Sequence, residues 1–291
     1  MDKQLLIFGF GYCADSLLLN LRNKRWKINV VTRNIEKING LRKRGVVAFQ
    51  WFEKKKIQNS IQKASTILIT VPPVGFSDPV KENFSELFSE LPANSKLVYL
   101  SSTGVYGDHR GNWVDEKSTL DPKTSLGVSR LNAEKIWQKV SNELGLTLII
   151  LRLAGIYGSG RSPIDKLKKG KVTVVRKPGV LFSRIHIDDI VEIISLSLEK
   201  NGISGVYNVC DNKPESSENV MQEACRLLGY KCPEAIPIEK LNLSKTALDF
   251  YSESKKVSNK KLLEDFSYQM IHPDYFSGLE EILAKVRNNS K

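Results

Sequence analysis

Two glycines near the start of the chain have the spacing that brings main-chain amides against an anion. Gly9 and Gly11 lie in the stretch GFGYCA, between an apolar segment and a helical pattern. The first glycine permits a tight turn, the second lets the backbone approach a pyrophosphate, and small Ala14 lets the helix pack closely on the strand. The start of the helix adds N–H groups and a partial positive charge. The pattern predicts a dinucleotide site formed by the turn residues Gly9, Phe10, Gly11 and Tyr12.

The residues that follow the second apolar segment bear on which dinucleotide binds. That segment ends in VVTRN, so Thr32 and Arg33 stand where an acidic residue would accept a hydrogen bond from the 2′-hydroxyl of NAD. A hydroxyl and a guanidinium instead suit a 2′-phosphate, which favours NADP(H), with NAD(H) as the alternative. Arg33 could also be one member of an exposed basic face. Val71 and Pro72, in TVPPV, form a stiff turn that could lie beside the adenosine or its ribose, although a rigid loop explains the prolines equally well.

Short apolar segments rich in β-branched residues alternate with helical patterns in the first half of the chain. The apolar segments cover 4–8, 27–32, 46–49, 66–70, 96–100 and 146–151, and the helical patterns cover 14–23, 80–91 and 129–145. Strands buried on both faces and separated by helices predict a parallel sheet with right-handed crossovers. We therefore expect an α/β fold with a doubly wound Rossmann sheet over 1–155 and a smaller C-terminal substrate lobe over 156–291, partly interleaved with it. Within the lobe, the patterns predict helices at 163–169, 188–200, 216–228 and 275–286 and strands at 171–175 and 205–209.

Composition and charge argue against several classes of protein. The hydrophobic content of 41% and charged content of 26% are ordinary for a globular chain, and no apolar run approaches the roughly 20 residues of a membrane span. The net charge of +12 comes mostly from residues 22–56, which contain twelve Lys and Arg and only two Glu. This region lacks the interleaved aromatics of single-strand binders, so we expect a solvated basic face and no nucleic-acid partner. The first residues show no secretion signal and the four cysteines no metal-ligand pairing, so we expect a cytoplasmic protein with free thiols and no metal.

Several motifs along the chain resemble those of the extended short-chain dehydrogenase/reductases, the NAD-dependent epimerase/dehydratase family. They are SSTGVYG at 101–107, PKTSLGVSRLNAEK at 122–135, LRLAGIYGSGR at 151–161, SRIHIDDIV at 183–191 and GVYNVCDNKP at 205–214. The stretch PGVLFSRIHIDDI, with the basic loop GRSPIDKLKKGK, is most similar to an atypical subgroup of that family. The resemblance implies NAD(P) binding and a small-molecule substrate, and it allows a homodimer that pairs through the helix bearing Leu126.

In that family the chemistry is carried by a Ser or Thr, a Tyr and a Lys, the last two as YxxxK on a helix. The phenol gives or takes the substrate proton while hydride moves to or from the nicotinamide, and the lysine lowers the phenol pKa and binds the nicotinamide ribose. On this chain Ser102 matches the hydroxyl, Leu126 stands at the Tyr and Arg130 at the Lys. Leucine has no ionisable group, and an arginine can donate to ribose hydroxyls but, with a pKa above about 12, cannot relay a proton. We therefore expect that the usual mechanism cannot run with these groups.

Other side chains near these motifs could take part. Tyr106 lies in the VYG turn, where a packed tyrosine is the alternative to a catalytic one. His109 has a suitable intrinsic pKa but stands on a loop, where histidines are usually solvated. Thr103 could donate a hydrogen bond to a substrate carbonyl. Ser102 is expected to contact a substrate hydroxyl, with a bond to the backbone at its own strand end as the alternative.

The later motifs carry basic residues that suit a substrate anion. Arg161 ends LRLAGIYGSGR, a segment that the resemblance places near the nicotinamide. Arg184 and His186 resemble positions that hold nucleotide-sugar phosphates, which implies a phosphorylated or nucleotide-linked substrate. Surface ion pairs are the alternative for both arginines. His186 could instead pack against or bond Asp188, which is expected to cap the following helix.

Two functions of different classes follow from these residues. The first is an NADP(H)-dependent oxidoreductase or epimerase-like enzyme in which Ser102 orients the substrate and water or a nearby side chain moves the proton. The second is a non-catalytic NADP(H)-binding protein that regulates a partner or senses redox state. Leu126 and Arg130 favour the second function. The retained substrate-side residues favour the enzyme, because a pure sensor has little reason to keep a complete substrate cleft.

Overall fold

A computed structural model describes residues 3–170 and 172–288. These residues form strands β1 (Lys3–Phe8), β2 (Trp26–Thr32), β3 (Val47–Gln50), β4 (Thr66–Ile69), β5 (Lys96–Ser102), β6 (Trp113–Val114), β7 (Thr147–Leu153), β8 (Gly155–Tyr157), β9 (Val174–Arg176), β10 (Arg184–His186), β11 (Gly205–Val209), β12 (Ala235–Pro237) and β13 (Lys256–Val257). They also form helices α1 (Tyr12–Asn20), α2 (Ile35–Lys43), α3 (Lys54–Ile61), α4 (Pro79–Phe84), α5 (Ser125–Leu144), α6 (Pro163–Lys168), α7 (Ile187–Glu199), α8 (Ser217–Leu228), α9 (Lys245–Tyr251), α10 (Lys260–Phe266) and α11 (Tyr275–Asn288). None of the helices in this described part of the chain is long and apolar enough to cross a membrane.

The central element is a parallel sheet of seven strands in the order β11-β7-β5-β4-β1-β2-β3. Ile7 of β1 lies opposite Val30 of β2 on one side and Leu68 of β4 on the other. All three side chains are fully buried, as expected for parallel strands covered on both faces. The chain builds β2 and β3 on one side of β1 and then crosses to form β4 on the other. The carboxyl ends of β1 and β4 therefore meet at a topological switch point, where open α/β sheets bind their ligands. The structure confirms the predicted α/β, Rossmann-like fold.

The chain divides into two compact units, each of them discontinuous in sequence. Unit 1 comprises the described residues up to Ser102 together with Ser125–Arg152 and Val191–Tyr207. Unit 2 comprises Thr103–Thr124, Leu153–Ile190 and the described residues from Asn208 onward. The strands of the sheet up to β5 and helices α1–α5 thus belong to unit 1, whereas the short strand pairs β8 with β10, β9 with β12 and β6 with β13 belong to unit 2.

Aromatic side chains fill the core of unit 1 on one face of the sheet. The Phe8 ring on β1 lies 5.1 Å from that of Phe84, which in turn lies 4.8 Å from Trp51. Farther along, Phe88 stacks on Trp137 of α5 with 5.8 Å between ring centroids. Burial of such large rings contributes on the order of 2–3 kcal/mol each, so this cluster holds the helices firmly against the sheet.

The structure differs from the sequence predictions at several elements. The single helix expected over 80–91 divides into α4 and a 3-10 helix at Ser85–Glu90, and helices α2 and α3 were not predicted. Asp188 does not cap α7, because the helix already begins at Ile187 and Asp188 lies in its first turn. The strand expected over 171–175 is found at Val174–Arg176, and the first residue of the prediction, Lys171, lies outside the described residues.

Candidate functional site

The glycine turn after β1 has the geometry that the sequence predicts. Gly9 has a φ of +92°, and a Cβ atom there would come within 2.6 Å of the Thr70 hydroxyl oxygen and 3.0 Å of the Val71 side chain. Only glycine therefore allows the turn to pack against the end of β4. Gly11 directly precedes α1, and no described atom would lie within 4 Å of a Cβ built on it. The turn thus combines a close contact beneath it with open space in front of the start of the helix, as an anionic group requires.

The remaining predicted cofactor residues surround this turn in different ways. Phe10 is half-buried within it, and Tyr12 is the first residue of α1. Val71 is buried beside Gly9, whereas Pro72, the next residue, is exposed. The structure therefore brings Val71 against the glycine turn and leaves Pro72 at the surface.

The end of β2 presents basic groups to the same turn. Thr32 is buried, and its hydroxyl accepts a long hydrogen bond of 3.4 Å from the Asn34 N–H. The Asn34 side chain caps α2 by accepting from the Lys37 N–H at 2.9 Å. This cap directs Lys37 back to the turn, where its ammonium donates to the Phe10 carbonyl oxygen at 2.6 Å. Arg33 is exposed, with its guanidinium 5.9 Å from the centre of the Trp51 ring.

Lys37 was missed by the sequence analysis. Arg33 precedes the Asn34 cap and lies outside α2, so helical spacing does not connect it with Lys37. Lys37 could be placed only once α2 was known, and α2 was not predicted. Another basic residue, Arg44, pairs with Asp15 in the first turn of α1 at 2.6 Å. This pair offsets the negative charge that would otherwise oppose an anion at the start of that helix.

The carboxyl end of β5 carries the hydroxyl that the sequence assigns to substrate. Ser102 is the last residue of β5 and is half-buried. Leu126, in the first turn of α5, has 64% of its surface exposed. One turn later, Arg130 Nη1 donates to the Leu100 carbonyl oxygen at 2.8 Å and to the Tyr99 hydroxyl at 3.2 Å. The Arg130 guanidinium is therefore held by a hydrogen bond to the main chain of β5.

A buried ion pair fixes α5 on the sheet below these residues. Arg152 on β7 makes a two-pronged contact with Glu134 of α5, with Nε to Oε1 at 3.0 Å and Nη2 to Oε2 at 2.8 Å. The Ser101 hydroxyl donates to the same carboxylate at 2.5 Å. This network was not predicted from the sequence. Arg152 stands inside the apolar run LIILRLA, and a charged residue in such a run indicates a buried ion pair. The network sets the register of α5 against the strand that ends in Ser102.

In unit 2, the segment that follows Ser102 is tied into a hydrogen-bond network. Thr103 begins a 3-10 helix and is half-buried. Tyr106 is fully buried, and its hydroxyl donates to Asn208 Oδ1 at 2.8 Å. The Asn208 main-chain N–H donates to the Glu116 carboxylate at 2.7 Å. His109 is half-exposed with its Nε2 3.2 Å from the Thr119 carbonyl oxygen. The buried Tyr106 hydroxyl is therefore hydrogen-bonded within unit 2, as expected for a structural tyrosine.

The basic residues expected to hold a substrate anion lie in the turn after β8 and on β10 of unit 2. Arg161 is exposed and closes the turn after β8. Arg184 on the paired strand β10 donates to three main-chain carbonyl oxygens, those of Phe182 at 2.8 Å, Glu215 at 2.7 Å and Ser216 at 3.2 Å. Burial lowers the pKa of its guanidinium. Arg184 is therefore held by the backbone, unlike Arg161.

Two buried titratable groups near Arg184, His186 and Asp211, have strongly shifted pKa values. Burial, with His272 nearby, lowers the pKa of His186 to about 4, so its imidazole is neutral at physiological pH. Asp211 was not predicted as a site residue, and its main-chain N–H donates to the Arg184 carbonyl oxygen at 2.7 Å. Burial raises the pKa of Asp211 to about 7, although the Lys213 N–H and Arg184 oppose the rise. A carboxyl group that titrates near neutrality is a typical feature of functional sites.

Comparisons with known proteins agree with the fold and the motifs. Residues 80–210 match the model of the NAD dependent epimerase/dehydratase family. A solved structure of a functionally unknown conserved protein from Silicibacter pomeroyi is 36% identical, with a TM-score of 0.89 and coverage of 97% of this chain and 99% of that one. Protein YeeZ of Escherichia coli is 24% identical over 284 residues, which span 94% of this chain and 97% of YeeZ.

An enzyme structure shares the fold at lower identity. The UDP-glucuronic acid 4-epimerase of Bacillus cereus, solved in complex with NAD, is 16% identical, with a TM-score of 0.77 and coverage of 99% of this chain and 100% of that one. At this identity the likeness concerns the fold alone. The match of residues 80–210 to the family model carries the assignment, and the 36% identical relative, itself described as functionally unknown, shows that the likeness extends over nearly the whole chain. The chain belongs to the NAD-dependent epimerase/dehydratase family.

Proposed function

We propose that this protein binds a nicotinamide dinucleotide at the glycine turn and prefers NADP(H) to NAD(H). The observation that carries the proposal is the hydrogen bond from the Lys37 ammonium to the Phe10 carbonyl oxygen. It places a positive charge at the turn that would receive the pyrophosphate. Exposed Arg33 directly follows β2, and the VVTRN stretch holds no carboxylate, which suits a 2′-phosphate better than a 2′-hydroxyl.

Each cofactor residue has a role in this proposal. Gly9, Phe10, Gly11 and Tyr12 supply the turn and the helix start for the pyrophosphate. Thr32 and Arg33 contact the adenosine ribose and its phosphate, and Val71 and Pro72 line the adenosine. The nicotinamide, when bound, supplies or accepts hydride. In this proposal the cofactor site lies within 1–155, and 156–291 supply the basic residues for the substrate anion.

The substrate in this proposal is a phosphorylated or nucleotide-linked small molecule. Arg161 and Arg184 supply positive charge for such an anion, and a UDP-glucuronic acid 4-epimerase from Bacillus cereus is one enzyme with the same fold. Exposed Arg161 would contact the anion directly. Arg184, which is held by carbonyl oxygens, would act mainly through its charge, whereas His186 is fully buried, with Nδ1 accepting from the Asp188 N–H and Nε2 beside Glu281, and has no substrate role in this proposal. Ser102 and Thr103 would orient the substrate oxygen that reacts.

Proton transfer in such an enzyme cannot use the groups that we align with the family tyrosine and lysine. Leu126 has no ionisable group, and Arg130 already donates to the Leu100 carbonyl oxygen and the Tyr99 hydroxyl. Burial raises the pKa of Tyr99 to about 12, so it is no acid–base group near neutrality either. We therefore propose that Ser102 orients the substrate while water or another side chain moves the proton.

The same observation favours a second candidate function. A protein that binds NADP(H) without turnover needs the glycine turn and the basic end of β2 but no proton donor. The exposed leucine and the anchored arginine meet this description. Such a protein would report the redox state of the cofactor to a partner.

Binding of the two cofactors tests the first part of the proposal. We expect NADPH to bind more tightly than NADH in fluorescence titrations, and Arg33→Asp to reduce that preference at least tenfold, or about 1.4 kcal/mol. Lys63→Asp, which reverses an exposed charge just after α3, is the matched control and should leave the preference unchanged. Equal affinities in the wild type, or an equal loss in the control, would remove the 2′-phosphate argument.

Turnover separates the two candidate functions. A panel of UDP- and dTDP-sugars would be incubated with the protein and NADP⁺ or NADPH. Net oxidation or reduction would be followed by the absorbance of the reduced cofactor, and redox-neutral epimerisation by chromatography of the sugars. The double variant Leu126→Tyr/Arg130→Lys restores an acid–base pair and should create or raise oxidoreductase activity by at least tenfold. Tight NADPH binding with no wild-type turnover would support the non-catalytic function. Ordinary wild-type rates that fall in the double variant would show that the alignment of α5 is wrong.

A further inference from the structure

Four side chains of unit 2 converge on one small volume. His186 at the end of β10, Asp188 in the first turn of α7, His272 in the segment before α11, and Glu281 on α11 each offer one ligand atom. These four atoms all lie within 4.8 Å of one another. We refer to these four residues as the His–carboxylate cluster. They come from three parts of the chain, so the cluster is a product of the tertiary fold and not of local sequence.

The two histidines of the cluster are buried and lack hydrogen-bond partners at their Nε2 atoms. His186 is fully buried and His272 is 6% exposed. The Nε2 atoms of both, and Oε2 of Glu281, are buried atoms without a hydrogen-bond partner. Leaving a buried polar atom unpaired costs about 1–3 kcal/mol, so three in one place imply that another atom satisfies them.

We propose that the His–carboxylate cluster is a structural binding site for a divalent transition metal ion, with Zn²⁺ as the preferred ion. Nitrogen and carboxylate ligands at about 2.1 Å in a tetrahedron are separated by about 3.4 Å along each edge. The distance from His186 Nε2 to Glu281 Oε2 is 3.7 Å, and that from His272 Nε2 to Asp188 Oδ2 is 3.6 Å. For these two pairs a contraction of a few tenths of an ångström gives the coordination distances, and the other pairs of ligand atoms, which lie within 4.8 Å, must close by at most about 1.4 Å. All four positions are filled by protein atoms, which is typical of structural and not of catalytic zinc sites.

Neighbouring groups already orient these ligands. Asp189 accepts hydrogen bonds from the main-chain N–H groups of Ile271, at 2.7 Å, and His272, at 3.1 Å, which fixes the His272 backbone beside α7. The Tyr268 hydroxyl donates to the same carboxylate at 2.6 Å. Such outer contacts hold metal ligands in place and raise affinity. Coordination through His186 Nε2 requires the ring proton on Nδ1, so the 3.2 Å contact from the Asp188 N–H to Nδ1 gives way.

A lysine competes with the metal for the two carboxylates. Lys285 lies 3.3 Å from Asp188 Oδ2 and 2.5 Å from Glu281 Oε1, and its side chain is about half exposed. It makes no hydrogen bond with Glu281 Oε2 or with the Nε2 atoms of the two imidazoles. The lysine can move into solvent, whereas the imidazoles cannot. Imidazole ligands favour zinc and its transition-metal neighbours over Mg²⁺ and Ca²⁺, which prefer oxygen.

Metal titration of the whole chain, with any affinity tag removed, tests the site. After dialysis against a chelator, we expect one Zn²⁺ per chain by calorimetry, with a rise in melting temperature. Co²⁺ should give the intense visible absorption of a four-coordinate ion, and excess Mg²⁺ should not displace it. His272→Gln and Glu281→Gln should each weaken Zn²⁺ binding at least tenfold. Lys285→Met should leave it unchanged or tighten it.

The third histidine of the chain supplies the matched control. His109→Gln removes an imidazole outside the cluster and should retain wild-type Zn²⁺ affinity. Should His272→Gln fail to fold, Glu281→Gln, which lies on the surface side of the cluster with a quarter of its side chain exposed, decides the question. The proposal is wrong if wild-type protein and Lys285→Met bind no Zn²⁺, or if the Glu281 and His109 variants lose affinity equally.

Discussion

The two units of the molecule differ in how completely their buried polar groups are hydrogen-bonded. In unit 1, Glu134 and Arg152 satisfy one another in a two-pronged contact that Ser101 joins. Buried Asp78 accepts from the Trp137 indole at 3.0 Å and from two amides at the start of α4. In unit 2, several buried atoms in the described part of the chain have no hydrogen-bond partner: His186 Nε2, Asp211 Oδ2, His272 Nε2 and Glu281 Oε2.

This difference shows which groups stabilise the fold and which remain available. The polar groups of unit 1 position α4 and α5 on the sheet, so their hydrogen bonds are complete within the protein. The unpaired atoms of unit 2 each carry a desolvation cost of about 1–3 kcal/mol. A fold that retains several such atoms keeps groups that can bind an ion, a proton or a ligand. We therefore expect substitutions of buried polar residues to change stability differently in the two units.

The largest effect is expected where a satisfied pair is broken. Arg152→Met leaves the Glu134 carboxylate buried without its partner and should lower the free energy of unfolding by about 3–5 kcal/mol. Adding Glu134→Gln removes the stranded charge, so the double variant should recover much of that loss. Urea unfolding monitored by circular dichroism measures both values. A single variant that loses less than about 1 kcal/mol would show that the pair does not organise unit 1.

A pH-dependent effect of comparable size is expected at Asp211 in unit 2. Burial raises the pKa of Asp211 from 3.8 to about 7, so the folded state holds the proton more tightly than the unfolded state. Stability from this group is therefore complete below pH 4 and is lost as the pH rises to about 7, by up to about 4 kcal/mol. The charged groups that act on Asp211 are Arg184, which lowers its pKa, and Asp274 and Asp189, which raise it.

The variant Asp211→Asn isolates this contribution. The amide oxygen can still accept from the Lys213 N–H, which lies 3.1 Å from Asp211 Oδ1. The variant cannot ionise, so the difference in stability between it and the wild type should grow from pH 4 to pH 7 and then level off. Thermal melts across that range provide the measurement. Parallel pH profiles for the two proteins would mean that Asp211 titrates normally.

Features that depend on neighbouring residues in the chain were predictable from the sequence, whereas features that depend on long-range contacts were not. The glycine turn and the parallel character of the sheet depend on local patterns, so Gly9 and the alternating apolar segments predicted them, whereas the order of the strands was not predicted. Helices α2 and α3 are short and rich in charged residues, and each buries only two large apolar side chains at helical spacing, so their periodic signal is weak. Lys37 was missed with α2, although its contact with the Phe10 carbonyl oxygen anchors the candidate cofactor site.

The His–carboxylate cluster shows the limit more clearly. His186 and His272 stand 86 positions apart in the chain, and no spacing motif connects them. Their proximity depends on Asp189, which accepts from both the Ile271 and His272 amides. The sequence expectation of no metal rested on cysteine spacing, which carries no information about histidines brought together by tertiary contacts. The metal site therefore stays a proposal from the structure.

The smallest expected effect concerns the one exception in unit 1. Among the described residues of that unit, Ser141 Oγ on α5 is buried without a partner. Ser141→Ala should therefore stabilise the protein by about 1 kcal/mol, since it removes an unpaired hydroxyl and raises helix propensity. Ser129→Ala is the matched control on the same helix, because the Ser129 hydroxyl donates to the Ser125 carbonyl oxygen at 2.8 Å. Both changes bring the same gain in propensity, so the difference between their melting temperatures reports the hydroxyl alone. If Ser141→Ala destabilises as much as Ser129→Ala, then the Ser141 hydroxyl has a partner, and every polar group compared in unit 1 is satisfied.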